Sequence, residues 1–151
     1  MVGQDNEPVL NNVLIAMARS FLQYVSESWP WVPGGAAAAT VEEQVRMIAA
    51  QQRQGVGDLV ELLTEREHFI DFGSYPTEYT DLQFLSLEAL MESLINSQQY
   101  VCRLLADAVV SLRTAGDDDA ADLVQTIELR QQDAAGALLE LRQQLRKAVP
   151  V

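Results

Sequence analysis

Four long runs of apolar residues recurring at steps of three and four constrain this chain most, because that period belongs to a helix with one buried face. The first covers about residues 9–28, with Leu10, Val13, Leu14, Met17, Phe21 and Tyr24 on its stripe. It stops at Trp29-Pro30-Trp31-Val32-Pro33-Gly34-Gly35, where prolines and glycines forbid continuation. The second, 40–67, opens on a Thr40/Glu43 capping box and carries Val45, Ile48, Val56, Leu59, Val60 and Leu63. The third, 81–114, is capped by Thr80 or Asp81. It carries Leu87, Met91, Leu94, Val101, Leu105, Ala108 and Leu112, and closes on Ala115-Gly116. The fourth, 118–148, begins at Asp117, Asp118 and Asp119, which suit the positive end of a helix dipole, and ends with Arg142, Arg146 and Lys147 at the negative end. No stretch alternates like a strand. The pattern predicts an all-α chain, a single four-helix bundle domain over 1–151.

The connection from His68 to Tyr79 loses the helical period and is punctuated by Gly73 and Pro76. Fully extended at ~3.3 Å per residue it reaches about 40 Å, the length of the second helix. It is therefore expected to cross the bundle from end to end, with Phe69, Phe72, Tyr75 and Tyr79 pinning it to the helices. An up-down-up-down arrangement is the rival.

Charge narrows the function classes. Ten basic against 22 acidic residues leave a net charge of −12 in 151 residues, and Lys147 is the single lysine. A surface for phosphates needs clustered Lys and Arg, so nucleic acid and anionic membranes are disfavoured as partners. No apolar run approaches the ~18 residues of a spanning helix, and there is no basic leader, so a cytoplasmic protein is expected. The lone Cys102 lies in an apolar helical pattern and reads as a small buried hydrophobe.

At the helix midpoints the core stripes hold amides. The second helix offers Gln52 with Gly55 three residues later, the third Gln98, and the fourth Gln131 with Ala134 three residues later. Gln98 and Gln131 are 33 residues apart, and the same step back from Gln52 lands near Arg19 and Ser20. In helix pattern and in this spacing the chain resembles the ferritin-like superfamily. The resemblance implies a bundle with a long crossover between helices two and three. It also implies inward glutamates on helices one and three, and Glu-x-x-His on helices two and four, around two metal ions. Here those acids are missing. Ser20, Gln52, Gly55, Gln98, Gln131 and Ala134 read as a vacated metal-site layer, its glutamines forming a buried amide layer that fixes helix register.

A second metal candidate is Glu65-Arg66-Glu67-His68, a literal Glu-x-x-His, with Glu88, Glu92 and Glu128 as partners for iron or another divalent ion. No phosphate-cradling glycine loop and no nucleophile–histidine–acid arrangement is present. The expected function is thus non-catalytic, acting through self-association or an unknown protein partner, with no cofactor. The alternatives are a ferritin-like metal-binding or oxidative-stress protein using Glu65, His68, Glu88 and Glu128, and a small-ligand binder with a glutamine-lined pocket. Trp29 and Trp31 are candidate partner contacts. At least a dimer is expected, because the short first helix should leave Leu112 or Leu82 and Leu85 uncovered. The third helix also carries a second stripe in Phe84, Leu90, Ile95 and Val109.

Overall fold

The computed structural model describes residues 6–30, 35–81 and 86–148. Among these it is all-helical, with α1 (Glu7–Ala18), α2 (Phe21–Glu27), α3 (Gly35–Glu65), α4 (Leu87–Thr114) and α5 (Asp118–Ala148), plus a 3-10 turn at Thr77–Asp81. No described helix is long and apolar enough to cross a membrane.

The first helix is broken where a continuous run over 9–28 was expected. Ser20 is extended (φ −68°, ψ 159°) and its hydroxyl accepts from the Gln23 backbone N–H, so it starts α2 as an N-cap. α3 begins at Gly35, ahead of the Thr40 box. The four alanines at 36–39 have the best helix propensity available, and the Thr40 hydroxyl donates to the Ala36 carbonyl instead of capping. α4 begins later than expected, at Leu87. Its cap is Ser86, which accepts from the Ala89 N–H, while Thr80 and Asp81 belong to the 3-10 turn.

Two helix ends close with the same paired bonds. After α4, the Asp117 N–H reaches the Leu112 carbonyl and the Gly116 N–H the Arg113 carbonyl. This is a Schellman motif with glycine at φ +78°. After α3, His68 N–H to Leu63 and Glu67 N–H to Thr64 repeat the motif, but the left-handed residue is Glu67 at φ +57°. A Cβ in that region costs about 1–2 kcal/mol. Glu67→Gly is therefore expected to stabilise the protein by about 0.5–1 kcal/mol, the gain in the cap less glycine's extra chain entropy. Urea denaturation reads this directly, and a loss of stability would contradict the strain.

The core forms two apolar clusters. One joins Phe21, Leu22 and Val25 of α2, Val41, Val45 and Ile48 of α3, Leu90, Met91 and Leu94 of α4, and Leu138 and Leu141 of α5. The other joins Leu10, Leu14 and Met17 of α1, Leu59 and Leu63 of α3, Leu105 and Leu112 of α4, and Val124 and Ile127 of α5. Each fully buried leucine or isoleucine contributes about 1.5–3 kcal/mol. Early residues of both α3 and α4 feed the first cluster and late residues the second, so these two helices run in the same direction. α1–α2 and α5 run the opposite way.

The segment after α3 spans the distance between clusters. Ile70 packs on the second and Tyr79 on the first. It lies along α1 and α2 in register: Asn11 exchanges two bonds with the Asp71 backbone at 3.0 Å, and Arg19 Nε donates to the Phe72 and Gly73 carbonyls. Tyr24 then meets Tyr75 and Phe21 meets Tyr79 edge-on at 5.2–5.3 Å. Gly73, at φ +68°, passes so close to Ile15 that a Cβ would sit 2.8 Å from its side chain. Tyr75 and Tyr79 anchor the segment as expected. Phe69 does not, being 83% exposed, and Phe72 is only half-covered; Ile70 takes the inward place because extended chain alternates its faces.

The surplus apolar surface argued from sequence is also corrected. Leu112, Leu90 and Ile95 are in the core and Val109 is half-buried against it, because α4 is flanked by α1, α2 and α5. Leu82, Phe84 and Leu85 lie outside the described residues.

Candidate functional site: an amide layer across the core

On each pass through the core, one or two polar residues separate the stretch that feeds one cluster from the stretch that feeds the other. They are Ser20 and Gln23 at the α1–α2 break, Gln52 on α3, Gln98 on α4 and Gln131 on α5. All five are buried, Gln52 and Gln98 completely.

Their side chains bond to one another. Gln52 is the hub: its Oε1 accepts from Ser20 Oγ at 2.9 Å and from Gln23 Nε2 at 2.8 Å. Its Nε2 donates to Gln98 Oε1 at 3.2 Å and to Gln131 Oε1 at 3.0 Å. Gln98 Nε2 donates to Gln131 Oε1 at 2.8 Å and to the Gln131 backbone carbonyl at 3.0 Å. Gln23 Nε2 also donates to the Ala49 carbonyl, and the partly exposed Arg53 donates to Gln23 Oε1 at 2.9 Å. An amide offers two donors and a two-lone-pair acceptor, so four amides can satisfy each other in this way where four apolar residues or four acids could not.

Ser20, Gln52, Gln98 and Gln131 thus meet, as does a residue that sequence reasoning missed. Gln23 escaped notice because a continuous first helix, counted back 33 residues from Gln52, ends at Arg19 and Ser20. The signal was a fourth glutamine between the apolar pairs Phe21-Leu22 and Tyr24-Val25. Gly55 and Ala134 sit one turn from Gln52 and Gln131 and bring no polar atom. Gly55 instead seats Ile127, whose side chain would lie 3.2 Å from an added Cβ. Gly57 has nothing within 4 Å, and packing does not explain it.

The layer does not fit a divalent metal pair. Its oxygens belong to neutral amides and a hydroxyl already engaged in hydrogen bonds, where such ions require carboxylate and imidazole ligands, and Gly55 and Ala134 one turn away bring no ligand side chain. Among the described residues no group of three or more His, Cys, Asp or Glu could hold a metal ion. The second candidate set is not brought together. Glu65 is exposed and His68 belongs to the α3 cap, whereas Glu88 sits at the start of α4, near the other cluster, paired with Arg146 at 2.9–3.0 Å. The reason is the parallel course of α3 and α4, which puts the end of one far from the beginning of the other. Glu128 bonds its helix neighbour Gln132.

The side chains of the layer touch one another at 2.8–3.2 Å. Trp29 is half-buried and packs against the first cluster; Trp31 lies outside the described residues. Cys102 is half-buried, and burial first, then the charge of Glu128, pushes its thiol up, away from the reactive thiolate.

Neither a family model nor a curated protein nor a solved structure matches the chain.

Proposed function

We propose that this protein is a non-catalytic, ferritin-like four-helix bundle in which a hydrogen-bonded amide layer stands at the metal-site positions, and that it acts through self-association or partner binding. The observation that carries the reading is the convergence of Gln23, Gln52, Gln98 and Gln131 from four passes of the chain onto one buried layer. The course of residues 70–79 along α1 and α2 supports the long crossover. The amides hold register: sliding any helix by one turn, 5.4 Å, would drive an amide into an apolar cluster at about 1–3 kcal/mol.

Association is the part of the proposal that uses the surface. Met47, Tyr100, Val110 and Leu129 are each more than half exposed on α3, α4 and α5. At physiological salt the Debye length is about 8 Å, so the charge of −12 does not prevent short-range burial. One sample tests both halves. After incubation with ferrous iron and gel filtration, elemental analysis is expected to find iron well below one atom per chain. Light scattering in 0.15 M salt is expected to find at least a dimer. Stoichiometric iron would overturn the first half, and a 17 kDa monomer at micromolar concentration the second.

A further inference from the structure

At the far end of the molecule from α2, one buried carboxylate ties three separate elements. Asp117, 3% exposed, accepts from both terminal nitrogens of Arg66 at 2.7 and 2.8 Å, from Asn6 Nδ2 at 3.0 Å and from the Ala120 N–H at 3.4 Å. Arg66 belongs to the end of α3, Asp117 to the α4–α5 turn, and Asn6 to the start of α1. Asn6 holds the N-cap position of α1 yet makes no side-chain bond to its own helix, because its amide is committed to Asp117. The next residue, Glu7, is 8% exposed, with Oε1 4.0 Å from Arg66 and Oε2 buried without a partner.

The start of α1 is therefore fastened from outside the helix, by two arms that each involve a carboxyl group. One runs from Asn6 to Asp117 and the other from Glu7 to Arg66. Among the described residues, charged and titratable groups flank them from three helices. Arg66 and His68 come from the end of α3, Arg113 from α4 and Asp118 and Asp119 from α5; Arg113 is spent on Asp118 and Asp122. Among the described residues Arg66 is the cation paired with both carboxyl groups, at 2.7 Å from Asp117 and 4.0 Å from Glu7.

We propose that Asn6, Glu7, Arg66 and Asp117 form an acid-released latch: protonating Asp117, the carboxylate that Arg66 and Asn6 share, frees the first turn of α1 from the ends of α3 and α5 while the remaining helices stay packed. Arg66 holds the Asp117 carboxyl below the usual range, with help from Asn6 and the Ala120 N–H against the opposing effect of burial. Release therefore falls in the acid region, below about pH 4. Opening uncovers Leu10, whose backbone N–H is held by the Asn6 carbonyl at 3.0 Å, and with it the apolar face that continues to Val13 and Leu14.

Amide hydrogen exchange tests this, reading Leu10 and Asn11 against Leu105 in the middle of α4 and correcting for intrinsic rates. Between pH 6 and pH 3 the protection of Leu10 should fall at least tenfold, while Leu105 stays far better protected than Leu10. The Asn6→Ala/Glu7→Gln variant removes both arms on the α1 side and leaves the Arg66–Asp117 pair intact. It should show the reduced Leu10 protection already at pH 6, with little further fall on acidification. The Glu7→Gln/Asp117→Asn variant should behave alike. If Leu10 keeps its protection at pH 3, if Leu105 becomes as unprotected as Leu10, or if Asn6→Ala/Glu7→Gln leaves Leu10 as protected as in the parent, the latch is overturned.

Discussion

Replacing Gln52 with leucine is expected to destabilise the protein by about 2–5 kcal/mol, a large effect for a change that adds apolar volume to a core. Gln52 joins four partners. Two of them have other bonds to fall back on: Gln23 Nε2 keeps the Ala49 carbonyl, and Gln131 Oε1 keeps Gln98 Nε2. Ser20 Oγ still accepts from the Gln23 N–H, but its O–H donor and Gln98 Oε1 are left buried without a partner, at about 1–3 kcal/mol each. Changing Gln52, Gln98 and Gln131 to leucine together removes most of the orphaned groups along with the bonds. That triple variant should be more stable than the single one. Urea denaturation of the two variants decides the point. A triple variant that loses stability additively would mean the amides do not act as one network.

The second large effect concerns the Arg66–Asp117 pair. Asp117→Asn keeps a competent N-cap for α5 but discards the charge, leaving Arg66, among the described residues, with Glu7 at 4.0 Å. Breaking a buried pair from one side costs about 3–5 kcal/mol. Arg66 retains 20% side-chain exposure and can recover some hydration, so about 2–4 kcal/mol is the expected loss at pH 7. The pH dependence follows from the direction of the shift. Asp117 is depressed in the folded state, chiefly by the Arg66 hydrogen bonds. Its stabilisation is complete above the unfolded carboxyl value of about 3.9 and is lost as pH falls through the lower folded value. The parent protein should therefore lose stability on acidification below about pH 4, and Asp117→Asn should show a flatter acid limb. Equal slopes in the two proteins would show that Asp117 carries no such linkage.

Much of the helical layout was legible because apolar stripes report directly on what is buried. Leu87 to Leu112 and Val124 to Leu141 lie inside along the stripes that their spacing marks. What escaped was set by bonds between distant residues. The break at Arg19-Ser20 leaves no trace in the stripe, since Met17, Phe21 and Tyr24 keep helical steps across it. The break exists because the Ser20 hydroxyl both caps α2 and donates to Gln52, a residue 32 positions away. That turn also rotates Gln23 inward, which hid the fourth amide. Helix starts were misread where two local signals competed. At Thr40 the alanine run outweighed the capping box, and at Ser86 the cap lay beyond the 3-10 turn that uses Thr80 and Asp81. The acid set around Glu65 and Glu88 looked plausible in one dimension, but parallel helices carry its members to opposite clusters. The Asn6–Arg66–Asp117 cluster had no sequence signature, its members being 51 and 111 positions apart.

The side-chain amide protons of Gln52 and Gln98 measure the layer most directly. Solution NMR with hydrogen exchange at neutral pH should find their NH2 groups at dispersed shifts, exchanging at least a hundredfold more slowly than those of the exposed Gln51 and Gln54. Exchange of Gln52 and Gln98 at the rate of those surface amides would contradict a sealed, mutually bonded amide layer at the centre of the molecule.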